Sequence, residues 1–482
     1  MKKSLIALAA LAATSAFAQS SVTLYGIVEA TVDVGYNKKV DTITTTNGFT
    51  GAGAAAATSP NLTIPTYVAN VLTFGAATNT GNVVSRTEQK NGMRIQDGND
   101  QGTGTSRVGF RGTEDLGGGM KANFLMEMGL RIDDGAAPGV VGVNSGASGG
   151  NLFGRNAWGG LSGGFGEVRL GRQVLGSYGV FASSISAGSS NGLYDAATGT
   201  APLIGGVRFS NAIRYMSPDF GGFKASVMLA APETDADTST NTITTTTPPG
   251  VAGTVLTTTT SASRRTGVDL ALEYANGPAY VGFGYNVRDG ATNPSSGVTG
   301  FAVGQTNTNS VNPGKISAWT LGGSYDLGVV KPFINYTRQT TKTDRTDTLA
   351  TGVAATSSSI GTNADSNVRA WSVGLRAPVG AFTIIAGYGN ARTSGMSTTL
   401  VNQNGAVQLF NTRNEQKQTA YQLGAQYALS KRTLVEVNYG QNKLENNTNI
   451  TVTNNSALAN GNSAATANTR ISALNVGLKH SF

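Results

Sequence analysis

Apolar and polar residues alternate along most of this chain with a period of two, the spacing that sends successive side chains to opposite faces of a β-strand. The stretch from Ser106 to Leu130 shows it plainly: Val108, Phe110, Met120, Ala122, Phe124, Met126, Met128 and Leu130 are apolar or small. Arg107, Gly109, Arg111, Lys121, Asn123 and Glu127 fall between them. The break from Glu114 to Gly119 ends in three consecutive glycines, which can take the positive φ of a tight reversal. A hairpin with one apolar and one charged face is predicted.

Read the same way, the chain predicts sixteen strands. The first eight lie at about Val22 to Gly35, Thr105 to Thr113, Gly119 to Leu130, Phe153 to Leu161, Gly166 to Arg172, Gly206 to Met216, Phe223 to Ala231 and Arg265 to Tyr274. The others lie at Ala279 to Arg288, Lys315 to Tyr325, Val329 to Arg338, Val368 to Ala377, Phe382 to Ala391, Gln416 to Ala428, Thr433 to Asn442 and Arg470 to Phe482. Short connections such as Asn276 to Pro278 and Leu429 to Arg432 alternate with long ones at 36–104, 131–152, 173–205, 232–264, 289–314, 339–367, 392–415 and 443–469. In a compact domain so many long loops would count against the assignment. Short turns on one side and long loops on the other, with an even strand number, fit a transmembrane barrel.

The faces agree. Val268, Leu270, Leu272 and Tyr274 oppose Gly267, Asp269, Ala271 and Glu273; Thr419, Tyr421, Leu423, Ala425 and Tyr427 oppose Gln418, Ala420, Gln422, Gly424 and Gln426. Burying such polar groups unpaired in a solid core costs several kcal/mol. The polar face is therefore assigned to a water-filled interior. Asn211, grouped with Phe209, Ile213 and Tyr215 on an otherwise apolar face, and the blurred alternation around Trp158 depart from this pattern.

The amino terminus carries Lys2 and Lys3, an apolar run from Leu5 to Phe17, and Ala16-Phe17-Ala18. This reads as a secretory signal peptide at 1–18, with the mature barrel at 19–482. Losing Lys2 and Lys3 lowers the formal charge from +8 to +6 over 464 residues (482 − 18), and no basic run points to nucleic acid. There is no cysteine, which excludes disulfides and thiolate metal sites. No apolar segment is long enough for a spanning helix, so only a closed barrel would cross a bilayer.

The segments SRVGFRGTEDLGGGMKANF, FGRNAWGGLSGGFGEVRLGRQ, IRYMSPDFGGFKA, Ser430-Lys431-Arg432-Thr433 and the terminal VGLKHSF together resemble the trimeric general porins of Gram-negative bacteria, closest to the β-proteobacterial branch. The resemblance implies a sixteen-stranded antiparallel outer-membrane β-barrel with short periplasmic turns and long extracellular loops. It further implies a third loop, Gln173 to Gly205, folded into the pore, and a homotrimer with contacts at the first and last strands. By motif, Arg107, Arg155 and Arg208 would form an arginine ladder at the constriction, with Glu127 as acidic counterpart and Asp195 as the acid on the loop. Arg111, Lys121 and Arg214 would be secondary lumen charges, and Phe482 the residue read by the barrel-assembly machinery. The implied activity is passive diffusion of ions and small hydrophilic solutes with mild anion preference. The implied partners are outer-membrane lipid and lipopolysaccharide, with no cofactor.

Other readings have less behind them. A Ser-His-Asp enzyme lacks a placed base, because His480 has the parity of Leu478 and Phe482. Gly117-Gly118-Gly119 and Gly163-Gly164 lack the setting of phosphate loops. The Thr and Asn tracts at 242–247 and 446–454 show no solenoid period. A sugar-specific channel would want an aromatic slide, and the inward aromatics placed by parity are Tyr25, Tyr280 and Phe333.

Overall fold

The computed structural model describes residues 21–46, 63–68, 71–76, 83–96, 106–132, 135, 152–185, 206–231, 266–289, 307–349, 358–403, 406–454 and 461–482. The expected leader at 1–18 and Asp195 lie outside the described residues. The strands are β1 (Ser21–Thr46), β2 (Thr63–Val68), β3 (Val71–Ala76), β4 (Val83–Gln96), β5 (Arg107–Gly117), β6 (Met120–Gly129), β7 (Asn156–Gly163), β8 (Gly166–Val174), β9 (Arg208–Met216) and β10 (Phe223–Ala230). They continue as β11 (Gly267–Asn276), β12 (Ala279–Asp289), β13 (Asn307–Tyr325), β14 (Lys331–Leu349), β15 (Ser358–Val379), β16 (Phe382–Gln403), β17 (Ala406–Ala428), β18 (Thr433–Asn454) and β19 (Gly461–Ser481). One helix, α1 (Gly176–Ser183), lies between β8 and β9.

The wall is β1 followed by β5 to β19, sixteen antiparallel strands, each hydrogen-bonded to the next. β1 closes the ring: Ser21 to Ile27 pair with β5, and Ile27 to Thr46 pair with β19. Above β5, β4 takes over the same edge of β1, from Thr31 opposite Gln96 to Thr44 opposite Val83. Among the described residues each wall strand is paired with a neighbour on both sides, as hydrocarbon requires.

Side-chain exposure follows the predicted parity. Val268 and Leu272 are exposed outward while Asp269 is fully buried inward; Tyr421 and Leu423 face out while Gln422 faces in. Two belts of aromatic residues bound the apolar band. Phe223 with Tyr274 and Phe382 with Tyr427 mark the short-turn side. Trp319 with Tyr336, Trp371 with Tyr388 and Tyr421 with Tyr439 mark the long-loop side. Such girdles sit at the two membrane interfaces.

The structure corrects the sequence reading in three places. First, several predicted long loops are paired strand: β16 and β17 stay in register from Phe382↔Tyr427 to Gln403↔Ala406, and β18 continues to Asn454. These extensions, rich in Thr, Asn and Ser, rise past the outer aromatic belt, where both faces meet water and period-two alternation has no physical cause. Second, part of the third connection is helical. Third, Phe209 is fully buried inside the wall against Leu175, Ala212 and Met228, not grouped outward with Ile213 and Tyr215. The register jumps from Gly171↔Ala212 to Gln173↔Phe209, and Asn211 takes φ 48. The extra residue of this bulge turns Phe209 inward.

Candidate functional site

Glu127, on the inward face of β6, is the centre of a charged cluster on the inner wall. Its Oε1 accepts from Arg155 Nε at 2.8 Å and from Asn156 Nδ2 at 3.2 Å. Its Oε2 accepts from Tyr25 OH at 2.8 Å and lies 3.5 Å from Arg107 Nε. Pairing explains the convergence: Gly109 of β5 opposes both Tyr25 and Glu127, and Asn156 of β7 opposes Glu127, so five residues from four neighbouring strands or their ends point to one spot. The missing side chain at Gly109 leaves room for the Tyr25 ring, which a Cβ there would meet at about 2.8 Å.

Arg208 begins β9, is 4% exposed, and lies within electrostatic reach of Arg155, Arg172, Tyr178 and Glu127. Arg107, Arg155 and Glu127 are thus brought into contact, and Arg208 lies within electrostatic reach of Arg155 and Glu127. Glu127 lies within ion-pair distance of both Arg107 and Arg155. Arg172, which the sequence reading did not single out, is buried beside them, donating to Gly154 O at 2.7 Å and Ser210 Oγ at 2.5 Å.

The secondary charges are more dispersed. Arg111 lies over the Tyr25 ring at 5.2 Å. Lys121 is opposite Ser162 of β7. Arg214 donates to Val174 O and Ser226 Oγ, both at 3.1 Å. Trp158 is an inward aromatic that blurred alternation concealed, stacked under Arg169 at 4.0 Å. Tyr25, Trp158, Tyr280 and Phe333 each engage a charged neighbour, respectively Glu127, Arg169, Glu273 and Lys331, and do not form one slide.

Helix α1 lies inside the barrel against β10 to β13. Its first turn has no side-chain cap of its own. Asp269, inward on β11, supplies one: its carboxylate accepts from Gly176 N at 2.7 Å and Ser177 N at 3.2 Å, where the helix dipole favours negative charge. Asn286 Nδ2 donates to Ser177 Oγ at 3.0 Å and Asn335 Nδ2 to Ser184 Oγ at 2.7 Å. The backbone approaches closely because the wall opposite lacks side chains. A Cβ on Gly284 would sit 2.6 Å from Ser177 Cα, and one on Gly322 would sit 2.3 Å from Ser184 Cβ. Phe181 and Val180 complete the contact, both essentially fully buried.

At the closing seam, Phe482 N donates to Gly26 O and Gly26 N to Phe482 O, each at 3.0 Å. Its ring occupies the space that a side chain at residue 26 would fill.

A family model described as Gram-negative porin matches residues 4–449. An outer membrane porin protein of Bordetella pertussis is 30% identical over 448 residues, which is 90% of this chain and 92% of that protein. Outer membrane porin protein 32 of Delftia acidovorans is 37% identical over 232 residues, 47% of this chain and 48% of that protein, so this alignment spans about half of that relative. Among solved structures, an anion-selective porin from Comamonas acidovorans aligns with 96% of this chain and all of that one, at 24% identity and a TM-score of 0.43. The chain belongs to the Gram-negative porin family and is a multi-pass β-barrel of the outer membrane.

Proposed function

We propose that this porin is a general diffusion channel for ions and small hydrophilic solutes, narrowed by α1, and that its constriction favours anions. The observation that carries the reading is the pairing of Arg107 and Arg155 with Glu127, with the buried Arg208 within electrostatic reach of Arg155 and Glu127. Among the described residues, Glu127 lies between these guanidinium groups and Glu29 is within electrostatic reach of Arg107, which leaves the three arginines in excess. Guanidinium stays protonated at any physiological pH, and like charges lining a narrow aqueous passage raise the local concentration of counter-ions. Rings of arginine favour anion passage. No energy input enters the scheme; solutes move down their gradients.

The test is the double variant Arg107→Glu with Arg155→Glu. Its zero-current potential under a potassium chloride gradient is expected to move toward the cation side. An unchanged potential would discard the arginine cluster as the selectivity element.

The same reading includes cleavage of 1–18 after Ala18, recognition of Phe482 during assembly, contact with lipopolysaccharide, and a homotrimer joined near β1 and β19. The exposed aromatic Phe482 at the seam supports the assembly role. Catalysis finds no support: His480 pairs through Nδ1 with Thr433 Oγ1 at the short-turn end of the wall, away from the charged cluster.

A further inference from the structure

Tyr25, on the inward face of β1, donates to Glu127 Oε2 at 2.8 Å, while Arg107 Nε lies 3.5 Å from the same oxygen. Each oxygen of an ionised carboxylate has two lone pairs to offer. On Oε1 both are taken, by Arg155 Nε at 2.8 Å and Asn156 Nδ2 at 3.2 Å. On Oε2 the phenol takes one, and the guanidinium stands outside the roughly 2.7–2.9 Å of a charge-assisted hydrogen bond. Arg107 Nε is buried and has no hydrogen-bond acceptor among the described residues. Tyr25 therefore holds the place on Oε2 that Arg107 would otherwise take.

The ring is fixed from two sides. Gly109 of β5 is directly opposite Tyr25 and opposite Glu127, and a Cβ on it would lie 2.7 Å from the phenol oxygen and 2.8 Å from Cε1 and Cζ. Arg111, two positions further along β5 and exposed, lies over the ring at 5.2 Å, within the range of a cation–π contact. Held in this way, the hydroxyl is aimed at the carboxylate. A hydrogen bond donated to a carboxylate offsets part of its charge, and more strongly where water is displaced.

We infer that Tyr25 is a positioning residue for the selectivity of the pore: its hydroxyl screens the Glu127 carboxylate and keeps it from closing on Arg107, whose charge stays available to passing anions. The Arg107 side chain is 29% exposed. Tyr25→Phe keeps the ring in the space left by Gly109 and removes the donor. Oε2 then closes on Arg107 Nε, and the unscreened carboxylate attracts cations. Both changes weaken anion preference. The inference rests on the anion reading proposed above and names the group that sets its strength.

The experiment records the zero-current potential of the purified protein in a planar bilayer under a potassium chloride gradient, for the wild type, Y25F, E127Q and Y25F/E127Q. Y25F is expected to shift the potential toward the cation side of wild type, and to cause no shift where Glu127 is already replaced. Gly109→Ala leaves Tyr25 in the chain but crowds its hydroxyl, and is expected to shift the potential in the same direction; it serves as the second variant should Y25F fail to assemble. Potentials equal to wild type in Y25F and Gly109→Ala would overturn the inference. So would a Y25F shift of the same size in the E127Q background, which routes the effect through another group near Arg107, such as Glu29. A wild-type potential on the cation side would contradict the anion reading instead, and the comparison of Y25F in the two backgrounds would still decide the role of Tyr25.

Discussion

Glu127 holds Arg155 and Tyr25 by hydrogen bonds and Arg107 by charge, so it adds one negative unit to the cluster while fixing its geometry. Glu127→Gln keeps an acceptor for Tyr25 and removes the charge. The permeability ratio of chloride to potassium should rise in this variant, and a fall would contradict the assignment. On the short turn between β9 and β10, Asp219 shows a different use of a carboxylate. Its Oδ1 accepts from Gly222 N at 2.6 Å, and this bond, followed by Lys224, holds the group below its ordinary value of 3.8. Because the folded value is depressed, the contribution to the turn is complete above the ordinary value and is lost as pH falls through the folded one. A carboxyl titration followed by NMR should therefore place the Asp219 midpoint below 3.8; a midpoint at or above it would contradict the hydrogen bond. At this scale the sequence was most legible where alternation was clean: Arg107 and Glu127 could be placed inward by counting. Phe209 and Trp158 could not, the first because the bulge at Asn211 shifts parity, the second because glycines at 159 and 160 leave no neighbouring contrast.

Helix α1 is held by groups that lie far away in sequence. Asp269 follows its partners Gly176 and Ser177 by more than ninety positions, separations of 93 and 92 residues. Nothing local announces the helix: GSYGVFAS has two glycines, no capping side chain, and no acidic residue in its first turn. Its stability comes from the wall, through Asp269, Asn286, Asn335 and the space left by Gly284 and Gly322. Hydrogen bonds to a charged group contribute about 1.5–3 kcal/mol. Asp269→Ala should therefore speed amide exchange at Gly176 and Ser177 by between about tenfold and a hundredfold and increase current noise through open channels. Unchanged exchange would mean that the remaining contacts hold the helix by themselves. The strand extensions were hidden for the opposite reason. Their pairing is regular, but water on both faces removes the contrast between apolar and polar positions that makes a strand visible in sequence.

The whole molecule is a closed wall whose outer surface is sorted by height: a short-turn aromatic belt, an apolar band, a long-loop belt, and above it extended polar strands. The apolar band and the polar loops were readable from composition and period alone. Closure was readable only in outline, since strand number is a count but the seam is a contact. Phe482 and Gly26 exchange two backbone hydrogen bonds there, and a side chain at residue 26 would collide with the Phe482 ring at 2.3 Å. Gly26→Val should lower the yield of folded barrel, read as loss of the heat-modifiable band on a gel; full yield would show that the seam adapts. The central claim, that a constriction built on Arg107, Arg155 and Arg208 sets the preference of an open pore, is tested most directly by the zero-current potential of the purified protein in a planar bilayer under a potassium chloride gradient. Stepwise conductance with a potential on the anion side is the predicted result. A potential on the cation side would contradict it.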